Sequence, residues 1–339
     1  MSTFRKASLL VSTLSIRKVW NLTKLFTSFY YSKYSGKPRI WGMPAKLGFE
    51  PTTHCNLRCP ECISGLRAFS RPTGMLSMNA FKSYVDEVHS NLVYLLMYFQ
   101  GEPFLNPEFL DMAAYAASQK IYTATSTNGH FLDVKTAKKV IDSGIQEVLI
   151  SVDGVTQDSY QKYRVGGELE KVKSGIKNLV DARKAAKTKH PYLILQFLVV
   201  NHNEHEVEAV HNLGKELGVD KVLVKTAQIY DYENGSPLFP VNPKYSRYRK
   251  LSNGKFALKN SLENQCWKMW MGAEITWDGK VLPCCFDKDA QYEMGKIGEK
   301  PFRAIWKSKI YNDFRAEILQ SRSGIEMCRN CSEGTKVWG

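Results

Sequence analysis

Between residues 46 and 226, short apolar segments alternate with longer segments in which apolar residues recur at helical spacing. The short segments are rich in Val, Ile, Leu and Tyr and predict β-strands, whereas the longer ones predict amphipathic helices. Strands that alternate with helices are typical of parallel βαβ units, so the pattern predicts an α/β fold. The predicted strands cover residues 46–50, 93–99, 121–126, 147–152, 192–200 and 221–226.

Capping residues and glycines indicate where the helices begin and end. Ser77 and Asp133 are expected to cap helices over 77–91 and 133–144, and Asn106-Pro107 to start a helix that reaches residue 118. Further helices are predicted from about residue 156, over 168–189 and over 203–217. Six strand–helix units are too few for a closed eight-stranded barrel, so we expect an incomplete barrel or an open doubly wound sheet.

Polar motifs follow several of the predicted strands. Gln100-Gly101-Glu102-Pro103 follows the second strand, Ser126-Thr127-Asn128-Gly129 the third and Ser151-Val152-Asp153-Gly154 the fourth. The carboxyl ends of parallel strands form the active-site face of such sheets. We therefore expect these motifs to meet on that face, which favours an enzyme.

A cysteine-rich loop follows the first predicted strand. Cys55, Cys59 and Cys62 have the spacing C-x₃-C-x₂-C. Three thiolates on one loop can hold three corners of a [4Fe–4S] cube and leave one iron open to a small molecule. The alternatives are a zinc site completed by His54 or His130, since zinc prefers four protein ligands, and three unrelated buried cysteines.

This loop and the Gln100–Pro103 motif resemble the radical S-adenosylmethionine (radical SAM) superfamily. The resemblance implies a partial (β/α)₆ TIM barrel, in agreement with the number of predicted strands. It also implies that S-adenosylmethionine (SAM) chelates the open iron and is reductively cleaved. The resulting 5′-deoxyadenosyl radical would then abstract a hydrogen atom from the substrate.

The resemblance implies roles for residues at the strand ends. Gly101 and Glu102 should receive the SAM amino group, with Pro103 fixing the turn, and Thr127 and Asn128 should line the SAM side of the third strand. Ser151 and Arg164 would bind the SAM carboxylate, Arg164 through a charge-assisted pair. The chain departs from the family pattern at Gln100, in place of a glycine, and at Glu61, where many members carry an aromatic residue.

The C-terminal cysteines have the spacing Cys266-x₁₂-Gly279-x₄-Cys284, followed by Cys328-x₂-Cys331. This resembles the start of the SPASM pattern found in many peptide-modifying radical SAM enzymes. Asp278-Gly279 is expected to turn a hairpin between 273–277 and 280–282, and a helix over about 302–320 is expected to lead back to Cys328.

Eight residues follow Cys331, so we expect one auxiliary cluster of the [4Fe–4S] type, as in the shortened twitch domain. Its predicted ligands are Cys266, Cys284, Cys328 and Cys331. Cys285 is the alternative to Cys284, and a Cys₄ zinc ribbon is the alternative to the cluster. The predicted domains are a basic extension over 1–45, a radical SAM core over 46–235, a linker over 236–265 and a small α+β twitch or SPASM-like domain over 266–339.

Composition supports a folded chain, since 43% of the 339 residues are hydrophobic and 12% aromatic. The net charge is +14, but residues 1–49 hold nine Lys and Arg and no Asp or Glu. Because the rest of the chain has an ordinary charge, we expect no nucleic-acid binding. No apolar run is long enough to predict a membrane-spanning helix.

The basic extension contains a stripe of apolar residues at near-helical spacing. Such a stripe can lie in an anionic membrane surface, or it can pack on the outside of the main domain. The acid-poor, Ser-rich start is also similar to a transit peptide. The stripe comprises Leu10, Leu14, Val19, Leu22, Leu25, Phe26 and Phe29.

Two thiolate clusters require a reducing compartment, so we expect a cytoplasmic protein, with peripheral attachment to a membrane as an alternative. The seven histidines lack ligand spacing and are interpreted as surface or helix residues.

We expect a radical SAM oxidoreductase or maturase that modifies a peptide, cyclitol or glycan and receives electrons from flavodoxin or ferredoxin. The alternative is a non-catalytic iron–sulfur or zinc protein that holds a peptide or lipid-linked glycan at a membrane. No residue is assigned as the catalytic acid or base.

Overall fold

A computed structural model describes residues 2–334 of the chain, with side chains from residue 5 onward. The strands are β1 Lys46–Phe49, β2 Tyr94–Leu96, β3 Tyr122–Thr127, β4 Glu147–Ser151, β5 Tyr192–Val199, β6 Lys221–Thr226, β7 Tyr248–Lys250, β8 Phe256–Leu258, β9 Gly272–Ile275, β10 Lys280–Leu282 and β11 Gly295–Lys296.

The α-helices are longest in the N-terminal extension and in the strand connections. They are α1 Ser2–Val11, α2 Ile16–Ser35, α3 Ile63–Leu66, α4 Met78–Val88, α5 Phe109–Ser118, α6 Val134–Asp142, α7 Gln157–Tyr163, α8 Leu169–Ala185, α9 Val207–Leu217, α10 Lys268–Met271, α11 Phe302–Trp306, α12 Lys309–Ser321 and α13 Glu326–Arg329.

Two compact units are interleaved along the sequence. The first unit contains the segment ending at Leu9, the cysteine loop Cys55–Ala68, and Ala124–Asn260. The second unit contains Leu10–His54, Phe69–Thr123 and the segment that starts at Ser261. The predicted domain boundaries follow motifs rather than contacts and stay predictions.

The first unit is built on parallel strands in the order β3-β4-β5-β6. Val148 and Ile150 on β4 and Leu195 and Phe197 on β5 are fully buried, as expected for strands covered on both faces. Helix α9 ends at Gly218, whose φ of +75° is the left-handed conformation that favours glycine. These connections place the carboxyl ends of β3 and β4 on one edge of the unit.

The second unit contains strands in the order β11-β10-β9-β1-β2. β1 pairs in parallel with both β2 and β9, and β9 pairs antiparallel with β10. The β9–β10 hairpin turns at Asp278-Gly279, where Gly279 has a φ of +89°, so the predicted hairpin is confirmed. Sequence reasoning missed the pairing of this hairpin with β1.

Two helix predictions were wrong in detail. Asn106 does not cap α5, because the helix begins at Phe109 and Asn106 Oδ1 accepts from the Glu108 amide at 2.9 Å in the turn before it. The side-chain amide of Asn106 donates to the carbonyls of Pro51 and Leu76 at 2.7 and 2.8 Å. The helix predicted over 302–320 is interrupted at Ser308, whose hydroxyl caps α12 by accepting from the Tyr311 amide.

The predicted linker contains ordered structure. β7 and β8 form an antiparallel hairpin, and buried Tyr248 stacks on Tyr232 and Phe239 with ring centroids 4.8 and 5.1 Å apart. This aromatic cluster explains why the segment is part of the first unit. Within residues 2–334, none of the helices has both the length and the apolar character needed to cross a membrane.

Candidate functional site

The cysteine loop of the first unit is tightly built. Cys59 is 5% exposed, and Cys55 and Cys62 are half-buried. Cys62 leads directly into α3, whose Gly65 lies so close to Cys59 that a Cβ there would be 2.6 Å from the Cys59 backbone nitrogen and oxygen. The Leu57 amide donates to Cys55 Sγ at 3.4 Å. Backbone packing therefore fixes where the thiols sit.

Arg164 contacts this loop. Its Nη1 lies 3.7 Å from Cys59 Sγ, and its Nε donates to Asp153 at 2.6 Å. Burial raises the pKa of the Cys59 thiol, and Arg164 partly opposes that rise. Burial alone would lower the pKa of Arg164, but Asp153 and Cys59 outweigh it and leave that pKa well above its usual value. A permanent cation therefore faces the loop, which suits an anionic iron–sulfur cluster.

A chain of hydrogen bonds supports the loop from the other side. The Glu168 amide donates to His130 Nε2 at 2.9 Å, so neutral His130 carries its proton on Nδ1 and donates to Asn128 Oδ1 at 2.9 Å. Asn128 Nδ2 in turn donates to Asn56 Oδ1 at 2.7 Å. His130 is 6% exposed, so its interpretation as a surface or helix residue was wrong.

The other predicted residues of the first unit lie at strand ends. Thr127 ends β3 and its hydroxyl accepts from the Gly129 amide at 3.0 Å. Ser151 ends β4 and is 5% exposed. Glu61, the departure from the family pattern, accepts from the Tyr230 amide at 2.9 Å. The Glu61 carboxylate therefore anchors the segment that follows β6. Many family members carry an aromatic residue at the position of Glu61.

The Gly101–Pro103 motif lies in the second unit. Gly101 has a φ of +73°, and a Cβ there would be 2.2 Å from the Thr52 carbonyl oxygen, so only glycine fits. The Glu102 amide donates to the carbonyl of His54, the residue before Cys55, at 2.7 Å. Glu102 is 2% exposed and its carboxylate accepts from the Phe104 amide as Pro103 starts a 3₁₀ turn.

The auxiliary cysteines of the second unit face a buried arginine. Arg322 is 1% exposed, its Nη2 lies 3.3 Å from Cys331 Sγ, and its Nη1 donates to the Gln265 carbonyl at 2.9 Å. Burial lowers the pKa of Arg322, but Cys266, Cys331 and Cys328 outweigh it and leave that pKa raised. Among the described residues, no carboxylate forms an ion pair with this guanidinium.

Arg322 Nε is buried and has no hydrogen-bond partner among the described residues. A buried cation that lacks a carboxylate is costly unless another anion compensates it. The three thiols are the groups placed to do so once they are deprotonated, as they are when they bind iron. The residues present therefore fit an auxiliary iron–sulfur cluster.

Cys284 and Cys285 have different neighbours. A hydrogen bond to Cys285 and burial raise the pKa of Cys284, and the charges of Cys266 and Cys331 add to that rise. The hydrogen bond from Cys284 lowers the pKa of Cys285, and Lys268 contributes to the decrease. Cys284 is therefore electrostatically coupled to two predicted ligands and to Cys285, and Lys268 is coupled to both Cys284 and Cys285.

Among residues 2–334, no three His, Cys, Asp or Glu side chains are gathered as they would be around a single metal ion. Each ligand of a [4Fe–4S] cube binds a different iron, so cube ligands are spread around the cluster.

Sequence reasoning missed several supporting residues. Asn56 lies between the motif cysteines but was given no role, and His130 was considered only as a zinc ligand or a surface or helix residue. Arg322 belongs to none of the motifs. Glu50 and Arg71 form a buried bidentate ion pair at 2.5 and 2.9 Å. The sequence offered one signal for this ion pair. The first predicted strand ends in Glu50, and Arg71 follows the cysteine loop.

Comparisons with known proteins show which families the chain resembles. Residues 49–214 match the model of the radical SAM superfamily, and residues 266–332 match SPASM, an iron–sulfur cluster-binding domain. The AdoMet-dependent heme synthase of Methanosarcina barkeri is 26% identical over 328 residues, which is 85% of this chain and 91% of that protein. The PqqA peptide cyclase of Gluconobacter oxydans is 22% identical over 315 residues, 87% and 85% of the two chains.

A solved structure of Streptococcus suis SuiB bound to its precursor peptide SuiA has a TM-score of 0.62 at 12% identity, covering 95% of this chain and 82% of SuiB. The chain belongs to the radical SAM superfamily and carries a SPASM domain. The predicted α/β fold with a partial TIM barrel is confirmed. The protein is an enzyme of this class. Its cofactors are SAM, a SAM-binding [4Fe–4S] cluster and an auxiliary iron–sulfur cluster.

Proposed function

We propose that this enzyme uses Cys55, Cys59 and Cys62 to hold the SAM-binding cluster and removes a hydrogen atom from a peptide or small-molecule substrate. When bound, the cluster supplies the electron that splits SAM into methionine and the 5′-deoxyadenosyl radical. The contact between Arg164 and buried Cys59 carries this proposal, because it fixes a cation beside one thiol of the predicted ligand set.

The residues around the loop orient SAM and hold its charges. Asp153 holds the Arg164 guanidinium in position to bind the SAM carboxylate. Ser151, two residues before Asp153, binds the same carboxylate. Gly101 and Glu102 receive the SAM amino group, and the tight turn at Gly101 fixes the direction of the Glu102 backbone. Thr127 and Asn128 line the same cofactor, and Asn128 additionally steadies the cysteine loop through Asn56.

Cys266, Cys284, Cys328 and Cys331 are proposed to hold one auxiliary cluster. The position of Arg322 against Cys266, Cys328 and Cys331 supports these three ligands. The coupling of Cys284 to Cys266 and Cys331 supports Cys284 over Cys285 as the fourth. A fully ligated cluster there would accept the unpaired electron left on the substrate after hydrogen abstraction. Loss of a proton from the substrate would then complete a net two-electron oxidation.

A peptide is the substrate class we propose first, because the names of two compared proteins refer to peptide substrates. A cyclitol or a sugar-linked lipid would be alternative outcomes of a substrate screen. Flavodoxin or ferredoxin is the proposed electron donor, and the cytoplasm the proposed compartment, since both clusters require reducing conditions.

The test is anaerobic reconstitution of the full chain with iron, sulfide, SAM and dithionite. We expect about eight irons per chain, since each cube holds four, and formation of 5′-deoxyadenosine. Cys285→Ala is the matched control, because it removes a neighbouring thiol and should change neither result. Bound zinc, or a reduced cluster that yields no 5′-deoxyadenosine, would contradict the proposal.

A further inference from the structure

The N-terminal extension concentrates exposed apolar side chains. Among the described residues, eight of the fifteen exposed large hydrophobic side chains lie within residues 11–41. Ile16 is 91% exposed, Trp20 60% and Val19 49%, and an open groove of about 490 Å³ lies along them. Exposed apolar groups gathered in one place are typical of an interaction surface.

These side chains form a stripe along the outward face of α2. Ile16, Val19, Trp20, Tyr31 and Tyr34 recur at helical spacing, and Tyr34 is 79% exposed. The helix has 20 residues and is therefore about 30 Å long. We call this set the outer stripe.

The opposite face of α2 is firmly packed, so the helix cannot turn its outer stripe inward. Phe29 is 1% exposed and its ring lies 5.2 and 5.4 Å from those of Trp267 and Trp270. Asn21 exchanges two hydrogen bonds with the Met43 backbone at 2.7 and 2.8 Å. Buried Lys18 donates to the carbonyls of Thr13 and Lys120.

This packing resolves the two expectations for the extension. Leu25 and Phe29 of the predicted apolar stripe are buried in the second unit, whereas Val19 and Phe26 are exposed. The helix therefore packs on the unit with one face and presents a different apolar face to solvent.

Cations surround the outer stripe. Arg17 and Lys24 lie along one side of it and Lys33 along the other. Burial lowers the pKa of Lys307, and the nearby charges of Arg303 and Lys24 lower it further, so these cations lie close together. Within residues 5–334, Arg17, Lys24, Arg303 and Lys307 form no ion pair with a carboxylate.

We propose that the outer stripe of α2 docks the enzyme on an anionic lipid bilayer. The stripe contains Trp and Tyr and is flanked by Lys and Arg, and residues 1–49 contain no Asp or Glu. This combination matches both the apolar interior and the anionic headgroups of such a bilayer. The aromatic and aliphatic side chains enter the boundary between headgroups and acyl chains, and the cations bind the anionic headgroups.

Vesicle flotation of the full chain tests this surface. We expect binding to phosphatidylcholine vesicles that contain phosphatidylglycerol, and at least tenfold weaker binding to phosphatidylcholine alone. The variant Ile16→Ser/Trp20→Ser should bind the anionic vesicles roughly thirtyfold more weakly, because two exposed apolar groups no longer enter the bilayer. Lys24→Gln/Lys307→Gln should weaken binding by a similar factor, since each cation contributes about fivefold.

Val134→Ser/Ile310→Ser is the matched control, because both residues are exposed apolar groups outside the stripe, and its binding should equal that of the parent. All three variants should keep the parent's thermal unfolding and 5′-deoxyadenosine formation in solution, so the chemistry and the docking are tested separately. The proposal is overturned if the parent does not float with anionic vesicles, or if Ile16→Ser/Trp20→Ser floats as well as the parent.

Discussion

Two arginines face cysteine thiols in this molecule, Arg164 in the first unit and Arg322 in the second, and they differ in what else they bind. Arg164 shares its charge between Cys59 and buried Asp153. Arg322 binds two backbone carbonyls and has thiols as its anionic neighbours. The first arrangement holds a guanidinium in a fixed direction, and the second supplies uncompensated positive charge.

The difference follows the chemistry proposed for each cluster. A site that must receive SAM needs an oriented donor for a carboxylate, and a carboxylate partner such as Asp153 provides that orientation. A closed electron-transfer cluster needs no ligand-binding group, so its arginine can act on the charge of the cluster alone. Substitutions at these positions should therefore have separable consequences.

The largest expected effect separates the two cysteine sets. Cys59→Ala should abolish 5′-deoxyadenosine formation, because the SAM-binding cluster loses one of its three ligands. Cys331→Ala should keep 5′-deoxyadenosine formation and lose the auxiliary cluster. Iron analysis and product chromatography measure both, and equal loss of SAM cleavage in the two variants would show that the clusters do not have separate roles.

The next effect concerns the reduction potential of the auxiliary cluster. Arg322→Gln should lower that potential by roughly 130 mV, because a unit charge about 5 Å away interacts by about 3 kcal/mol at an effective dielectric constant of 20. Arg322→Lys keeps the charge and is the control. Redox titration followed by electron paramagnetic resonance measures the change, and an unchanged potential in Arg322→Gln would contradict the assigned role.

A smaller effect is expected for SAM binding. Arg164→Lys keeps a cation beside Cys59 but loses the planar fork that Asp153 orients, so SAM affinity should fall about 10- to 100-fold, the usual cost of a charge-assisted hydrogen bond. Equilibrium dialysis of the reconstituted enzyme measures it. The reduction potential of the auxiliary cluster should stay at the parent value. A shift of that potential would contradict the separate roles of Arg164 and Arg322.

The smallest effect is a pH dependence that comes from His130. Burial lowers the pKa of His130 below its ordinary value of 6.5. As the pH falls below that value, the unfolded chain takes up a proton that the folded chain resists, so stability present above pH 6.5 is lost. His130→Gln cannot take up this proton and should therefore make the loss smaller. Thermal unfolding at pH 8 and 5.5 measures it, and parallel pH profiles for the two proteins would contradict the prediction.

The sequence predicted the parallel strands well because their apolar runs and terminal glycines are local signals. β6 forms over the predicted residues, and Asp133 caps α6 through the Thr136 amide as expected. The same reasoning failed at Asn106, because a residue typical of helix caps was used to join two loops instead. Local patterns do not reveal such long-range hydrogen bonds.

The candidate site divides in the same way. The cysteines and the turn at Gly101 were visible because their spacing and conformation are constrained within a few residues. The roles of Asn56, His130 and Arg322 could not be predicted, because each binds a residue far away in the sequence: Asn128, Glu168 and Gln265. Their importance depends on burial and on the absence of other partners, which only the folded chain defines.

The parallel pairing of β9 with β1 has a consequence for truncation. β9 lies between Cys266 and Cys284 in the sequence, and β1 leads into the loop that begins at Cys55. Deleting the residues from Ser261 onward would leave the backbone amides and carbonyls of β1 open on one side, and exposed edges of this kind recruit strands from other molecules. A shortened enzyme prepared to isolate the SAM chemistry is therefore expected to aggregate, and the auxiliary segment must be studied by point substitution within the intact chain.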